Sequence, residues 1–166
     1  MIIKISNLSN GEYYYTFDKK IEEIELSEPF IGNILVEAKL QKSKRQIVLN
    51  ADIKAKVIFE CDRCDEKFEK ELINDYKIVY YFSSEINDEE QIDIKYISIN
   101  TDKIDLSNEV RDYAQLAVPM KKLCKEDCKG LCVNCGKNLN SENCKCNSKE
   151  IDPRWLPLEK LKNNIK

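Results

Sequence analysis

The sequence predicts an α+β protein with a mainly antiparallel, meandering β-sheet or partly open barrel, one principal helix, and a C-terminal cysteine-rich tail that binds zinc. Three observations support this fold class. Long segments of the first half alternate apolar and polar residues, which is the period of β-strands. A later segment has the spacing of an amphipathic helix. Six of the eight cysteines then fall between Cys124 and Cys146.

The alternating segments predict consecutive strands joined by hairpins. Ile34 to Leu40 and Ala51 to Phe59 both alternate, and the polar residues 42–45 separate them. A third run keeps the same period, with charged residues on its other face; its apolar positions are Phe68, Leu72, Tyr76, Ile78, Tyr80 and Phe82. The acidic segment Ser83 to Asp93 follows, and we interpret it as an exposed loop.

The principal helix is predicted just before Pro119, which ends it. Asp105 or Ser107 can cap its start, and its apolar positions are Leu106, Val110, Tyr113, Ala114 and Ala117. We interpret this stripe as core and not as a groove for a partner. A second short helix is expected at Asp152-Pro153, with Trp155, Leu158 and Leu161 packing on the sheet.

Composition and charge predict a body of residues 1–118 and a metal-binding tail of residues 119–166. The chain has 166 residues, 42% hydrophobic and 34% charged, which is enough for one core. The net charge of −3 is unevenly distributed. The tail carries eleven Lys or Arg against six Asp or Glu, a formal +5, so the body carries −8. The basic tail allows an acidic partner without requiring one.

The cysteine spacing predicts a four-thiolate zinc site in a chain without histidine. We take Cys132, Cys135, Cys144 and Cys146 as the first choice of ligands. A glycine directly after Cys135 permits a tight turn whose N–H groups point at sulfur. Four further cysteines, Cys61, Cys64, Cys124 and Cys128, form a possible second site that would fix the tail to the body. Other quartets, particularly ones that include Cys128, stay open.

Disulfide formation and catalysis account for the cysteines less well than metal binding does. Residues 1–17 lack the features of a secretory signal, and no apolar run of membrane-spanning length is present, so we expect a cytoplasmic protein. In the reducing cytoplasm, clustered thiols are expected to bind metal and not to form disulfides. Cys128, Cys132 and Cys135 have the spacing of S-adenosylmethionine enzymes with an iron–sulfur cluster, but too little chain follows to form their barrel. No phosphate loop or nucleophile with a base is recognisable, so we expect neither an enzyme nor a small-molecule substrate.

Several of these segments together resemble one bacterial family. They are the run from Cys124 to Asn140, the Cys144-x-Cys146 pair, Asp152-Pro-Arg-Trp155, the upstream Cys61-Asp-Arg-Cys64, and the helix that ends at Ala117-Val-Pro119. This combination is similar to the YceD family, the large ribosomal RNA subunit accumulation proteins. The resemblance implies a non-enzymatic role in the synthesis, processing or stability of 23S ribosomal RNA. Some members of that family lack the C-terminal cysteines, which implies that the metal stabilises this branch.

Two kinds of partner are consistent with this role. Ribosomal RNA is one, with Lys121, Lys122, Lys125 and Lys129 as candidate phosphate contacts and Tyr13, Tyr14, Tyr15 or Trp155 as candidate stacking residues. A basic large-subunit ribosomal protein is the other, bound by the acidic segment that includes Glu85, Asp88, Glu89 and Glu90. A different functional class is a redox-responsive zinc-binding chaperone, although the order of its cysteine pairs is reversed here.

Overall fold

The computed structural model describes residues 1–83, 93–146 and 154. The chain divides into two compact units, one of Met1–Glu60 with Lys67–Lys122 and one of Cys61–Glu66 with Leu123–Lys166. The first unit contains the regular elements, which are β1 (Ile2–Lys4), β2 (Gly11–Lys20), a 3-10 helix (Ile21–Ile24), β3 (Phe30–Lys42), β4 (Gln46–Glu60), β5 (Lys67–Ser83), β6 (Ile94–Ser98), β7 (Lys103–Asp105) and α1 (Ser107–Leu116).

A five-stranded sheet in the order β2-β3-β4-β5-β6 dominates the first unit. Strands β2 to β5 form an antiparallel meander, because each strand pairs antiparallel with the next one along the chain. The sheet is open, with β2 and β6 as its edges. The predicted antiparallel meander is therefore confirmed in its open form. The 17-residue β5 pairs with β4 along the entire 15 residues of β4.

The alternation of the sequence decides which face of the sheet is buried. Along β4 every second side chain is buried, and these are Ile47, Leu49, Ala51, Ile53, Ala55, Val57 and Phe59. The same face of β5 buries Leu72, Tyr76, Ile78 and Tyr80, as the period predicted. Full burial of one large apolar side chain stabilises the folded state by about 1.5–3 kcal/mol, so this face provides most of the stabilising core. The meander is interrupted by a bulge between Ile31 and Ile34, where Gly32 takes a φ of 70°.

Helix α1 packs on the sheet, and its apolar stripe is core as predicted. Leu106, Val110 and Ala114 are buried, and the Tyr113 ring stacks on Tyr76 with their centroids 4.6 Å apart. The N-cap position is taken by Leu106, which has no capping side chain, and not by Asp105 or Ser107. Asp105, the residue before Leu106, compensates for the missing side-chain cap. Its carboxylate accepts hydrogen bonds from the Ser107 N–H and hydroxyl groups at 3.0 and 2.7 Å.

Several elements were not predicted from the sequence. Strands β1 and β7 pair antiparallel across about a hundred residues of chain, as a separate two-stranded sheet. Strand β6 pairs parallel to β5, which is the exception to the antiparallel pattern. The acidic loop predicted from Ser83 to Asp93 starts one residue too early, because Ser83 is the last residue of β5, and residues 84–92 lie outside the described part of the chain. The predicted second helix with Trp155, Leu158 and Leu161 also lies outside it, apart from Arg154. Among the described residues, no helix is both long and apolar enough to cross a membrane.

Candidate metal centre

The structure groups all eight cysteines into two clusters of four, both within the second unit. Within each cluster the sulfur atoms lie within 4.8 Å of one another. The first quartet is Cys61, Cys64, Cys124 and Cys128, and the second is Cys132, Cys135, Cys144 and Cys146. These are the same two sets that the spacing singled out. All eight side chains are free cysteines. Each set offers four sulfur ligands, so each can hold a metal ion.

The sulfur separations fit tetrahedral coordination. Four sulfurs placed about 2.3 Å from one zinc ion at tetrahedral angles lie about 3.8 Å apart. In the first quartet the Cys61 and Cys128 sulfurs are 3.8 Å apart, and those of Cys64 and Cys124 are 3.6 Å apart. In the second quartet the Cys144 sulfur lies 3.5 Å from that of Cys135 and 3.3 Å from that of Cys132. These four separations differ from the tetrahedral value by at most about half an ångström.

Each quartet is built on one copy of the same local turn, which we call a knuckle. Knuckle one is Cys61–Glu66 and knuckle two is residues 132–137. In knuckle one, the Asp65 N–H donates to the Cys61 carbonyl at 2.9 Å and the Cys61 N–H donates to the Glu66 carbonyl at 3.0 Å. The equivalent bonds of knuckle two join Gly136 to Cys132 at 2.8 Å and Cys132 to Lys137 at 2.8 Å.

The backbone conformation of the two knuckles matches as well. The residue after the second cysteine has a left-handed conformation in both, with φ 62° at Asp65 and 70° at Gly136. Strand-type pairing brackets both turns, between Glu60 and Lys67 in one case and as an isolated bridge between Leu131 and Asn138 in the other. The sequence placed a glycine at only one of these two positions, so the equivalence was not evident from it.

Both knuckles direct N–H groups at their first sulfur, which favours its thiolate form. Burial raises the pKa of Cys61, but backbone N–H groups of Cys124, Arg63 and Cys64 outweigh this and lower it to about 6. For Cys132, the N–H groups of Asn134 and Cys135 lower the pKa to about 6. A hydrogen bond to the charged form stabilises that form. Each quartet therefore has at least one sulfur prepared to act as an anionic ligand.

The remaining thiols show why a cation is needed. At Cys64 the Glu66 N–H favours the thiolate, but burial and the neighbouring sulfurs oppose it and raise the pKa to about 12. The sulfurs of Cys144 and Cys135 raise the pKa of Cys146 to about 12. Four thiolates at these distances repel one another, so a metal-free quartet keeps some of its protons. A divalent cation removes this repulsion and lets all four ionise.

A close contact within the second unit joins knuckle one to the segment around Cys128. The Arg63 guanidinium donates to the Cys128 carbonyl at 2.7 Å, and the Leu131 N–H donates to the Arg63 carbonyl at 3.0 Å. Gly130, with φ 76°, makes this approach possible, because a Cβ there would lie 3.0 Å from the Arg63 carbonyl oxygen. Sequence reasoning missed both Arg63 and Gly130. The feature of the sequence that could have indicated this contact is a glycine two residues after the candidate ligand Cys128.

Asn140 connects the loop of the second quartet to the first quartet. Its side-chain amide donates to the Cys128 sulfur at 3.3 Å, and its carbonyl oxygen accepts from the Lys129 N–H at 2.9 Å. Such outer-shell donors orient sulfur ligands and tune their charge. The sequence showed only an asparagine-rich loop between Cys135 and Cys144, without indicating which asparagine has this role.

The two quartets differ in exposure. Cys61, Cys64 and Cys128 are buried and Cys124 is half-buried. In the second quartet, Cys135 and Cys146 are exposed, and the other two are half-buried. Solvent and reagents therefore reach the second quartet more easily than the first.

The candidate RNA-binding lysines are distributed over both units. Lys121 and Lys122 belong to the first unit, and Lys125 and Lys129 belong to the second. The Lys122 ammonium lies over the ring of Phe59, 5.3 Å from its centroid, so this lysine is already engaged within its own unit. The side chains of Lys121, Lys125 and Lys129 are exposed. That these lysines contact RNA stays a prediction.

Comparison with known proteins gives matches in bacteria and plants. A chloroplastic YCED homolog 1 of Arabidopsis thaliana, named a large ribosomal RNA subunit accumulation protein, is 36% identical over 63 residues, 38% of this chain and 20% of its own. Its counterpart from Zea mays is 38% identical over 50 residues, 30% of this chain and 17% of its own. An uncharacterised protein of Mycobacterium tuberculosis is 24% identical over 126 residues, 76% of this chain and 60% of its own.

This chain thus spans between 17 and 60% of the length of these curated relatives. No solved structure matches it. The family model described as large ribosomal RNA subunit accumulation protein YceD matches residues 49–162, a range that includes both knuckles and all eight cysteines. Because this match covers more than half of the chain, the protein belongs to the YceD family.

Proposed function

We propose that this protein is a non-enzymatic accessory factor for the accumulation of the large ribosomal RNA, acting in the synthesis, processing or stability of 23S RNA during large-subunit assembly in the cytoplasm. The observation that supports the proposal most directly is the family match over residues 49–162. The names of the Arabidopsis and maize relatives also refer to large ribosomal RNA subunit accumulation. Within the described residues, the thiols of the second unit form two groups of four that could each hold a metal ion, which is compatible with a non-enzymatic role.

We propose that both quartets hold Zn²⁺ as a structural ion. Four thiolates at tetrahedral spacing suit zinc and leave no open position for water or substrate. Zinc would hold together segments that are far apart in sequence, since Cys61 and Cys128 are 67 residues apart. Elemental analysis of protein purified under reducing conditions should give two zinc ions per chain. Cys64→Ser and Cys144→Ser should each remove about one. Protein that contains no zinc would contradict this assignment, and iron in its place would show a different metal.

Within this function, we propose that the body of residues 1–118 and the tail of residues 119–166 have separate roles. The tail has a formal charge of +5, which suits contact with RNA phosphates. Replacement of Lys121, Lys125 and Lys129 by Ser should weaken RNA binding and leave zinc content intact. If a basic ribosomal protein is the partner instead, neutralising Glu85, Asp88, Glu89 and Glu90 should disrupt its co-purification.

Depletion of the protein in cells tests the proposed function. The ratio of 23S to 16S RNA should fall, and incomplete large subunits should accumulate in sucrose gradients. Complementation with the wild-type chain should restore both, whereas a chain lacking both quartets should not. A normal ratio and normal subunit profiles after complete depletion, in a strain without a second family member, would remove the ribosomal proposal.

The exposure of Cys135 and Cys146 is the one observation that favours the alternative, a redox-responsive chaperone. Peroxide treatment separates the two functions. Stoichiometric zinc release that accompanies new protection of an unfolded client protein from aggregation would support the chaperone. Zinc release without such protection would support a purely structural metal.

A further inference from the structure

A cavity of about 580 Å³ lies in the first unit, at the turn between β3 and β4. The segment after β1, the segment between β6 and β7, and Phe82 of β5 form its other walls. This volume is within the range of about 300–1,000 Å³ that is usual for ligand sites. Most of the residues around it are exposed, so the cavity is open to solvent.

The charge of the cavity is opposite to that of the body around it. Lys42, Lys44 and Arg45 line it, and among the described residues of its lining there is no Asp or Glu. By contrast, residues 1–118 as a whole carry a formal −8. The Lys42 ammonium donates to the Ile5 carbonyl at 2.7 Å and so fixes one wall. Lys44 and Arg45 are exposed, and within the described ranges no ion pair or side-chain hydrogen bond occupies either cation. Two cations are therefore available to an anion.

The cavity also has an apolar part, which an inorganic anion would not use. Leu8 and Phe82 are half-buried there, and Ile99 is 69% exposed although its side chain is entirely apolar. Ser6 and Thr101 add hydroxyl groups to the lining. A ligand that complements all these groups carries a negative charge, a flat apolar surface and hydrogen-bonding edges. A nucleotide combines these three properties.

We propose that this cavity binds a nucleotide of a single-stranded RNA, with Lys44 and Arg45 on the phosphate backbone and the base against Phe82 and Ile99. The choice of RNA as the source of the nucleotide rests on the proposed function; the charge and the apolar wall do not depend on it. An unpaired strand is favoured over a duplex, because bases in a duplex stack on each other and are not free to contact an apolar wall. The exposed rim lets the strand enter and leave the cavity.

A pair of charge-matched variants tests the phosphate contacts. Lys44→Gln with Arg45→Gln removes two cations from the cavity, and Lys70→Gln with Lys77→Gln removes two exposed cations from β5 of the same unit. Binding of the full chain to a fluorescent single-stranded RNA is measured between 50 and 300 mM salt. Two lost phosphate contacts should weaken binding about 25-fold at 0.1 M salt and reduce the salt slope by about 1.4.

The β5 variant should change neither quantity appreciably. Equal losses for the two variants would overturn the proposal, because they would show a general charge effect. A cavity variant that binds RNA like the wild type would overturn it as well. Melting temperatures of both variants verify that they fold, which we expect because all four side chains are exposed.

Two further experiments test where the RNA binds and whether the ligand is an RNA strand or a free nucleotide. Photo-crosslinking with RNA that contains 4-thiouridine should label Phe82 or residues 99–101, and Ile99→Ser should weaken binding without changing the salt slope. Cross-links confined to residues 119–166 would overturn the proposal. Uridine monophosphate that binds as tightly as the oligonucleotide would assign the cavity to a free nucleotide and not to an RNA strand. Normal 23S RNA after depletion would refute the proposed function, whereas loss of these in vitro effects would refute only the cavity.

Discussion

Two glycine substitutions measure how much the docking of knuckle one contributes to metal binding. Gly130 and Gly136 both have left-handed conformations, with φ 76° and 70°. A Cβ at Gly130 meets the Arg63 carbonyl oxygen at 3.0 Å, whereas a Cβ at Gly136 has nothing within 4 Å. Alanine at either position carries the same conformational cost, about 1–2 kcal/mol. The difference between the two variants therefore reports the contact with Arg63.

The size of this difference follows from the hydrogen bonds at Gly130. To relieve the clash, the segment must move away from Arg63. That movement strains the bond from the Leu131 N–H and the bond from Arg63 to the Cys128 carbonyl. Each is worth about 0.5–1.5 kcal/mol. Gly130→Ala should therefore cost about 2–5 kcal/mol and Gly136→Ala about 1–2 kcal/mol. If the cost appears fully in metal binding, the difference is about 5- to 150-fold in affinity.

Competition against a chromophoric zinc chelator measures both sites. Single Cys→Ser variants, one in each quartet, assign the two steps of metal release. We expect Gly130→Ala to weaken the first site strongly and Gly136→Ala to weaken the second site modestly. Asp65, which already holds a side chain at the position equivalent to Gly136, shows that knuckle geometry tolerates one. If the two alanine variants lose the same affinity, or Gly130→Ala loses none, the contact with Arg63 does not support the site.

Three further predictions concern the thiols and a buried tyrosine. Because the pKa of Cys64 and of Cys146 is raised to about 12 in the metal-free quartets, both thiols are protonated at pH 7. Zinc binding should therefore release protons, and the apparent zinc affinity should rise with pH; calorimetry in two buffers measures both. Dilute peroxide should remove zinc from the second quartet before the first, since Cys135 is exposed, and mass spectrometry should find oxidation there first; simultaneous oxidation would contradict this. The Tyr76 hydroxyl is buried and has no hydrogen-bond partner in the described structure. Tyr76→Phe should therefore raise the free energy of unfolding by about 1 kcal/mol in denaturant titrations, whereas a loss of stability would indicate a bound water.

Features governed by local patterns could be read from the sequence. Strands β3 to β5 alternate over many residues, and the burial of every second side chain in β4 follows directly from this period. The two Cys-x2-Cys turns are also local, so the sequence could suggest the two groups of four cysteines that lie together in the structure. The helix was recognisable because its apolar positions recur over three turns before Pro119.

Features that depend on distant contacts were not readable. The pairing of Ile3 with Ile104 and the parallel pairing of β5 with β6 depend on how the chain returns to the sheet, and three- to five-residue strands carry little period of their own. The position of the Lys122 ammonium over Phe59 was missed for the same reason. Lys122, a candidate phosphate contact, therefore also has a packing role that only the fold reveals.

The equivalence of the two knuckles explains why their metal sites should differ in stability although their chemistry is the same. Both turns use the same hydrogen bonds, left-handed residue and N–H donors to sulfur. Knuckle one follows β4 and precedes β5, two strands of 15 and 17 residues, whereas knuckle two is bracketed by a single bridge between Leu131 and Asn138. The ligands of knuckle two are therefore held by fewer backbone hydrogen bonds, so metal binding must supply more of the ordering of that turn. Loss of zinc should leave the turn at Cys61 largely formed and unfold the turn at Cys132, which amide hydrogen exchange on the metal-free protein can measure residue by residue.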